Sequence, residues 1–261
     1  MQSVQMPGLP SVPDDEPGTM TWIEHLIELR NRLLKASIAV LIGLVLGFVA
    51  VTYNNYALIE LVKVAQTPAG TILQAVAPAE VFTNAIRVAL GIGLSLAMPV
   101  IVYQLLAFIA PGLTSREKRI IFTALPFIMS CFIGGLVFGW FITVPAALRF
   151  LLVQGAGAIE IRPTVESFLS IFTRLILLNG VLFEMPVIVY SLIWLGVVQR
   201  ATLARYRRYA VLVIVIVASI VTPTSDPVNL GLVAVPMYLL YELGLLLALL
   251  APRRETVVAG K

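Results

Sequence analysis

Residues Thr21–Val51, TWIEHLIELRNRLLKASIAVLIGLVLGFVAV, run two kinds of helix together without a break. Thr21-Trp22-Ile23-Glu24 has the capping-box form, in which the Thr hydroxyl and the carboxylate three residues on satisfy helix amides that lack an intrahelical partner. Trp22, Leu26, Leu29 and Leu33 then recur on one face, while Glu24, Glu28, Asn31, Arg32 and Lys35 fall on others. That pattern is an amphipathic helix lying at a membrane interface. It passes directly into Leu34–Val51, where Lys35 is the only charge, and a run of that kind is a membrane span.

The rest of the chain fits this beginning. Of 261 residues, 59% are hydrophobic and 12% charged, about half the charged share of an ordinary soluble domain. The mean hydropathy of +0.98 exceeds what one water-soluble core can hide, so lipid is the solvent for most of the chain. A single cysteine, Cys131, excludes a disulfide framework and any multi-cysteine metal site. Residues 1–20 are rich in Pro and Gly and carry Asp14, Asp15 and Glu16 without Lys or Arg. They lack the basic start and apolar core of a secretory signal and read as a disordered cytoplasmic tail.

Five further apolar stretches follow: Val81–Ala110, Ile120–Leu148, Ser167–Val198, Tyr209–Val221 and Val228–Leu250. Tyr209–Val221 is short, roughly 20 Å of helix against a hydrocarbon core of about 30 Å. Basic segments flank it on both sides of the hairpin it would form, so it is expected to cross by thinning the bilayer or leaning on neighbours. Ser167–Val198 is long and is expected to be tilted, bent or extended beyond the membrane. Six spans make a transmembrane domain over residues 21–251, with a cytoplasmic tail at 252–261.

Lys and Arg set the orientation. With the N-terminus inside, the inner segments hold Arg30, Arg32, Lys35, Arg116, Lys118, Arg119, Arg200, Arg205, Arg207, Arg208, Arg253, Arg254 and Lys261, and the outer ones only Lys63, Arg149 and Arg162. Thirteen against three predicts both termini in the cytoplasm. It also accounts for the net charge of +4 as topology, leaving no support for a nucleic-acid partner. Pro99, Pro126, Pro145, Pro186 and Pro236 interrupt the spans, and each removes a backbone donor and tends to kink its helix into a curved wall.

Glu184, in Phe183-Glu184-Met185-Pro186, lies deep in the fourth stretch. An ionised carboxylate there costs several kcal/mol unless paired or hydrated. It demands either a hydrated groove or polar partner helix, or, as a protonated acid, a bond to another helix of the bundle. Arg87, Arg174 and Glu242 lie nearer the span ends, where long side chains snorkel. Enzymatic chemistry lacks its parts: His25 is the only histidine, Asp14 and Asp15 are in the tail, and Asp226 stands alone in an outer turn, so neither zinc, serine nor paired-aspartate proteolysis can be assembled. No cofactor or metal is expected.

Several separated motifs, in order, resemble the TatC family, the six-helix receptor subunits of the twin-arginine protein translocase. They are His25-Leu26-Ile27-Glu28-Leu29-Arg30, Tyr103-Gln104, Phe108-Ile109-Ala110-Pro111-Gly112-Leu113, Glu117-Lys118-Arg119, Phe183-Glu184-Met185-Pro186, and Thr222-Pro223 with Asp226 and Pro236-Met237-Tyr238. The likeness spans roughly Thr21–Leu250. It departs in the longer Pro-rich N-terminal tail and in the outer segment Thr52–Ala79.

The resemblance implies an all-α polytopic fold of six helices, N-in and C-in, kinked into a concave, glove-like bundle capped by its outer loops. It implies a receptor for signal peptides with two consecutive arginines, bound at the cytoplasmic face of a prokaryotic inner membrane by Glu28 and Glu117, with His25 and Arg30 in the same motifs. Carboxylates suit that task, because a guanidinium fork is accepted bidentately and Lys cannot reproduce its geometry. It further implies that Glu184 couples to single-span subunits of the TatA and TatB type docking on helices five and six. Homo-oligomers and transport of folded cargo by the proton-motive force are implied as well, and Asp226 matches an acidic position in the outer hairpin.

Plainer readings stand beside these. Glu28 precedes Arg32 by one helical turn, as in an ordinary helix pair; Thr114-Ser115-Arg116-Glu117 is also a capping box; and Asp226-Pro227 is an ordinary turn initiator. The rival function is a proton- or ion-coupled small-solute transporter with Glu184 as relay. The lack of a clear internal repeat and the single carboxylate near the midplane count against it. A purely structural assembly subunit is the third.

Overall fold

The computed structural model describes residues 22–53, 57–68, 71–112, 114–153, 162–194, 196–222 and 226–249. Both expected tails, and Thr21 of the first capping box, lie outside these. The described residues form ten α-helices: α1 (Trp22–Thr52), α2 (Ala57–Gln66), α3 (Glu80–Ile109), α4 (Ser115–Phe138), α5 (Val144–Val153), α6 (Val165–Leu182), α7 (Met185–Trp194), α8 (Arg200–Arg205), α9 (Arg207–Val221) and α10 (Pro227–Leu247). Amphipathic start and first span are one continuous helix, as the sequence reading expects.

Five helical runs are long and apolar enough to cross a membrane: Trp22–Thr52, Glu80–Ile109, Phe122–Leu152, Val165–Trp194 and Pro227–Leu247. α9, the expected short span, has 15 residues, or about 22 Å of helix, and falls below that length.

The packing that holds these helices follows from small residues. Between apolar helices in lipid there is little hydrophobic drive, so association rests on close van der Waals contact. On α1, a Cβ at Gly43 would run into the backbone of Gly93 on α3, and one at Gly47 into the backbone of Ala89. The reversed order of these pairs makes α1 and α3 antiparallel, backbone against backbone. Gly135 of α4 likewise abuts the backbone of Asn179 and Gly180 on α6, and Gly244 of α10 abuts Pro186 and Val189 of α7.

Proline acts unequally. α3, α4 and α10 continue through Pro99, Pro126 and Pro236. The fourth run breaks instead: α6 ends at Leu182, Phe183 and Glu184 form a turn, and α7 resumes at Met185. Pro186 has no N–H to offer the carbonyl one turn back, at Leu182, so the ladder parts there. The long fourth stretch is therefore bent, and Glu184 sits at the bend. Between α4 and α5 the chain takes one π-helical turn, Gly139–Thr143. Thr143 there donates its hydroxyl to Asn179 Oδ1 at 3.1 Å, and Asn179 Nδ2 donates to the Leu175 carbonyl at 2.8 Å. Both side chains are buried, and each needs the other in lipid.

The segment between α1 and α3 contains α2 and closes onto the loop before α6. Gln74 N donates to the Pro163 carbonyl at 3.0 Å and Val165 N to the Gln74 carbonyl at 2.9 Å.

Candidate functional site

Two ends of the bundle carry the polar chemistry. At one end α1 begins and α3 finishes, and the His25 ring stacks on Phe108 with centroids 4.3 Å apart and planes at 21°. This stack pins the interfacial turn of α1 to the C-terminus of α3. Glu28, one turn on, is mostly shielded, at 16% side-chain exposure. Its Oε1 accepts from Arg32 Nε at 2.8 Å and also from Arg32 Nη2. Its Oε2 is buried without a hydrogen bond and has the His25 Nδ1 at 3.8 Å. The ordinary helix pair is thus present, yet one carboxylate oxygen is left with acceptor capacity in a place where an unmet acceptor is costly.

Arg30 is exposed and donates to Asn31 Oδ1 at 3.3 Å. Glu117 lies in the first turn of α4, where Lys118 N donates to the Thr114 carbonyl at 2.9 Å; its side chain is outside the described residues, so the pairing of Glu28 with Glu117 is not placed.

The same end holds the turn from α7 through α8 into α9. Arg207 forks onto Glu242, with Nε to Oε1 at 2.7 Å and Nη2 to Oε2 at 2.9 Å, and the Tyr238 hydroxyl donates to Glu242 Oε1 at 2.9 Å. Glu242, read as a snorkelling candidate, is instead paired across α9 and α10. Arg200 Nε donates to the Leu245 carbonyl at 3.0 Å and the Tyr241 hydroxyl to the Leu203 carbonyl at 2.9 Å, tying α8 to α10.

Glu184 is 7% exposed, and its Oε1 is buried with no hydrogen-bond partner. Around the bend pack Val102 of α3, Ile128 of α4 and Val187 of α7. Asp226 caps α10: its Oδ2 accepts from Asn229 N at 2.8 Å and its Oδ1 from Asn229 Nδ2 at 3.0 Å, with Pro227 at the first helical position. A helix-capping role accounts for that residue.

At the opposite end the structure exposes a residue the sequence reading missed. Glu80, 8% exposed, accepts on Oε2 from Val76 N at 2.6 Å and Ala77 N at 3.4 Å, and on Oε1 from Glu166 N at 2.8 Å. One carboxylate thereby knots the loop before α3 to the first turn of α6. Arg87 joins it, donating to Ser170 Oγ at 2.5 Å and Asn84 Oδ1 at 3.2 Å, with Glu166 Oε1 at 3.4 Å. The available signal was an acid directly before the apolar run Val81–Ala110; its distant partner, Glu166, lies 86 residues further on and carries no local signature. Among the described residues no cluster of His, Cys, Asp or Glu could hold a metal ion.

A bundle of long apolar helices, with charges gathered at its two ends and one orphaned carboxylate at an interior bend, defines a polytopic helical membrane protein. Residues 24–236 match the family model of the Sec-independent protein translocase protein TatC. The chain belongs to the TatC family. It is 38% identical over 234 residues to the Sec-independent protein translocase protein TatC of Deinococcus radiodurans, covering 86% of this chain and 84% of that one. It is 34% identical over 234 residues to the same protein of Escherichia coli strain K12, covering 90% and 88%. A crystal structure of the twin-arginine translocase receptor TatC superposes with a TM-score of 0.76 at 34% identity, over 88% of this chain and 100% of that chain.

Proposed function

We propose that this chain is the signal receptor of a twin-arginine translocase, binding two consecutive arginines at Glu28 and Glu117 with His25 and Arg30 beside them. The observation that carries the reading is the state of Glu28. Arg32 already occupies Oε1 as a guanidinium would, and Oε2 is held in a shielded position with its acceptor capacity unspent. A signal arginine either adds at Oε2 or displaces Arg32, and in both cases the planar fork is what the site accepts. The His25–Phe108 stack keeps the carboxylate at a fixed place relative to the α3–α4 turn that leads to Glu117.

The Lys and Arg distribution supports placing this end in the cytoplasm with both termini inside. α9 then crosses as a sixth, short span, in the inner membrane of a prokaryote. A six-helix domain over residues 21–251 between two cytoplasmic tails follows from that orientation. The outward faces of α9 and α10, with Leu212, Val213, Ile216, Val235 and Leu239 each at least half exposed, fit docking by single-span subunits of the TatA and TatB type. A polar residue in such a helix meets the need of Glu184. Passage of folded proteins then draws on the proton-motive force, with no chemical catalysis by this chain.

The test is direct. Purified protein should crosslink an Arg-Arg signal peptide near Glu28 and Glu117 and bind a Lys-Lys version much more weakly. Substituting both residues by Ala should erase the difference, and equal binding of the two peptides by the native chain overturns the receptor. Glu184→Ala should leave signal binding intact while impairing transport or partner assembly; a well-folded Glu184→Ala protein that loses signal binding contradicts that division of labour.

A further inference from the structure

Arg174 stands in α6, nine residues after Val165, and is exposed. Among the described residues it has neither a hydrogen-bond nor an ion-pair partner. A guanidinium about 13 Å into a membrane helix is rare unless something answers its charge. Arg87, on α3, is seven residues after Glu80 and reaches Ser170 Oγ on α6. Ser170 and Arg174 are neighbours one helical turn apart, with Cβ atoms about 5–6 Å from each other. Arg87 and Arg174 therefore lie on one face of the α3–α6 seam.

The helical period says which face. α3 and α6 run in parallel from the Glu80 knot, and Gly91 meets Thr173 on the seam itself. Ile92 and Phe172, one residue to either side, line an apolar cavity of about 280 Å³ on one flank. Leu90 and Arg174, stepping the other way, share the opposite flank, where Leu90 is 46%, Leu94 36% and Val181 53% exposed. Side chains on both helices lean toward their N-termini, so both arginines set out toward the Glu80 end, where Arg87 meets Glu166, and apolar surface continues beneath them along both helices.

We propose that Arg174 and Arg87 form a site for the phosphate of a membrane phospholipid, with its acyl chain laid along Leu90, Leu94 and Val181. The lean of both arginines toward the interface favours a headgroup over a carboxylate in a partner helix, which would have to be buried beside them. Guanidinium and phosphate match as a bidentate pair. On Arg87, Nη1 is taken by Asn84 and Ser170 and Nη2 by Glu166 at 3.4 Å, so Arg174 carries the phosphate and Arg87 adds positive charge beside it.

The full chain in detergent, mass-analysed under native conditions with added phosphatidylglycerol, tests this. The native protein should retain one such lipid about tenfold more tightly than Arg174→Gln, Arg174→Lys should fall between, and diacylglycerol, which lacks the phosphate, should not distinguish them. Arg174 makes no hydrogen bond or ion pair among the described residues, so lipid-free melting should be the same in all three. Equal retention by native and Arg174→Gln protein overturns the site. Displacement of the lipid by inorganic phosphate would mean a bare anion site, and loss of a co-assembled single-span helix with lipid retention unchanged would assign the anion to a partner; either result defeats the lipid assignment. The outcome is independent of signal binding.

Discussion

At Glu28 the two carboxylate oxygens are in unlike situations, since Oε1 is held by Arg32 and Oε2 is shielded without a hydrogen bond. Arg32 is thus both a support of the helix and a competitor for any incoming arginine. Arg32→Gln should lower stability by about 1 kcal/mol, the scale of a partly shielded ion pair, and should raise affinity for an Arg-Arg peptide. Thermal unfolding and peptide titration of the same sample check both; an unchanged affinity would show that Arg32 does not compete, and a weaker one that it helps to form the site. Glu28 was legible in the sequence as a carboxylate at an interfacial helix. Its half-satisfied state was not, because burial of a single oxygen depends on what the fold packs around it. Asp226 caps α10 through Asn229, an arrangement its place directly before Pro227 allows.

At the scale of elements, the α1–α3 pair depends on absent side chains. Gly93→Ala places a methyl against the backbone of Gly43 and Leu44 and should destabilise the protein by about 1–3 kcal/mol, the usual effect of overpacking. Gly231→Ala on α10 meets nothing within 4 Å and should be neutral. Melting of the two variants in detergent distinguishes close packing from a general intolerance of glycine replacement; equal losses would refute the packing argument. Helix periodicity showed where these helices lie, but not which glycine meets which, since that requires the partner. The prolines teach the same lesson. Five were visible, and the break falls at Pro186 while α3, α4 and α10 continue through theirs.

For the whole molecule, the asymmetry of Lys and Arg makes a claim about two sides. In a background with Cys131→Ala, a cysteine placed at Thr202 should be labelled by an impermeant reagent only from the cytoplasmic side, and one at Ala75 only from the other. Labelling of both from one side would overturn the orientation and, with it, the place of Glu28. The sequence by itself determined that this chain is a helical protein with several apolar helices long enough to cross a membrane, and which family it joins. These follow from composition, period and charge, properties that each segment carries alone. Only the tertiary structure decided that the fourth run bends at Glu184, that Glu242 belongs to Arg207, that Glu80 knots two loops together, and that Arg174 has no hydrogen-bond or ion-pair partner among the described residues. Each of those is a relation between side chains far apart in the chain, and in a medium that offers no water, whether a polar group is satisfied depends on which helix happens to lie beside it.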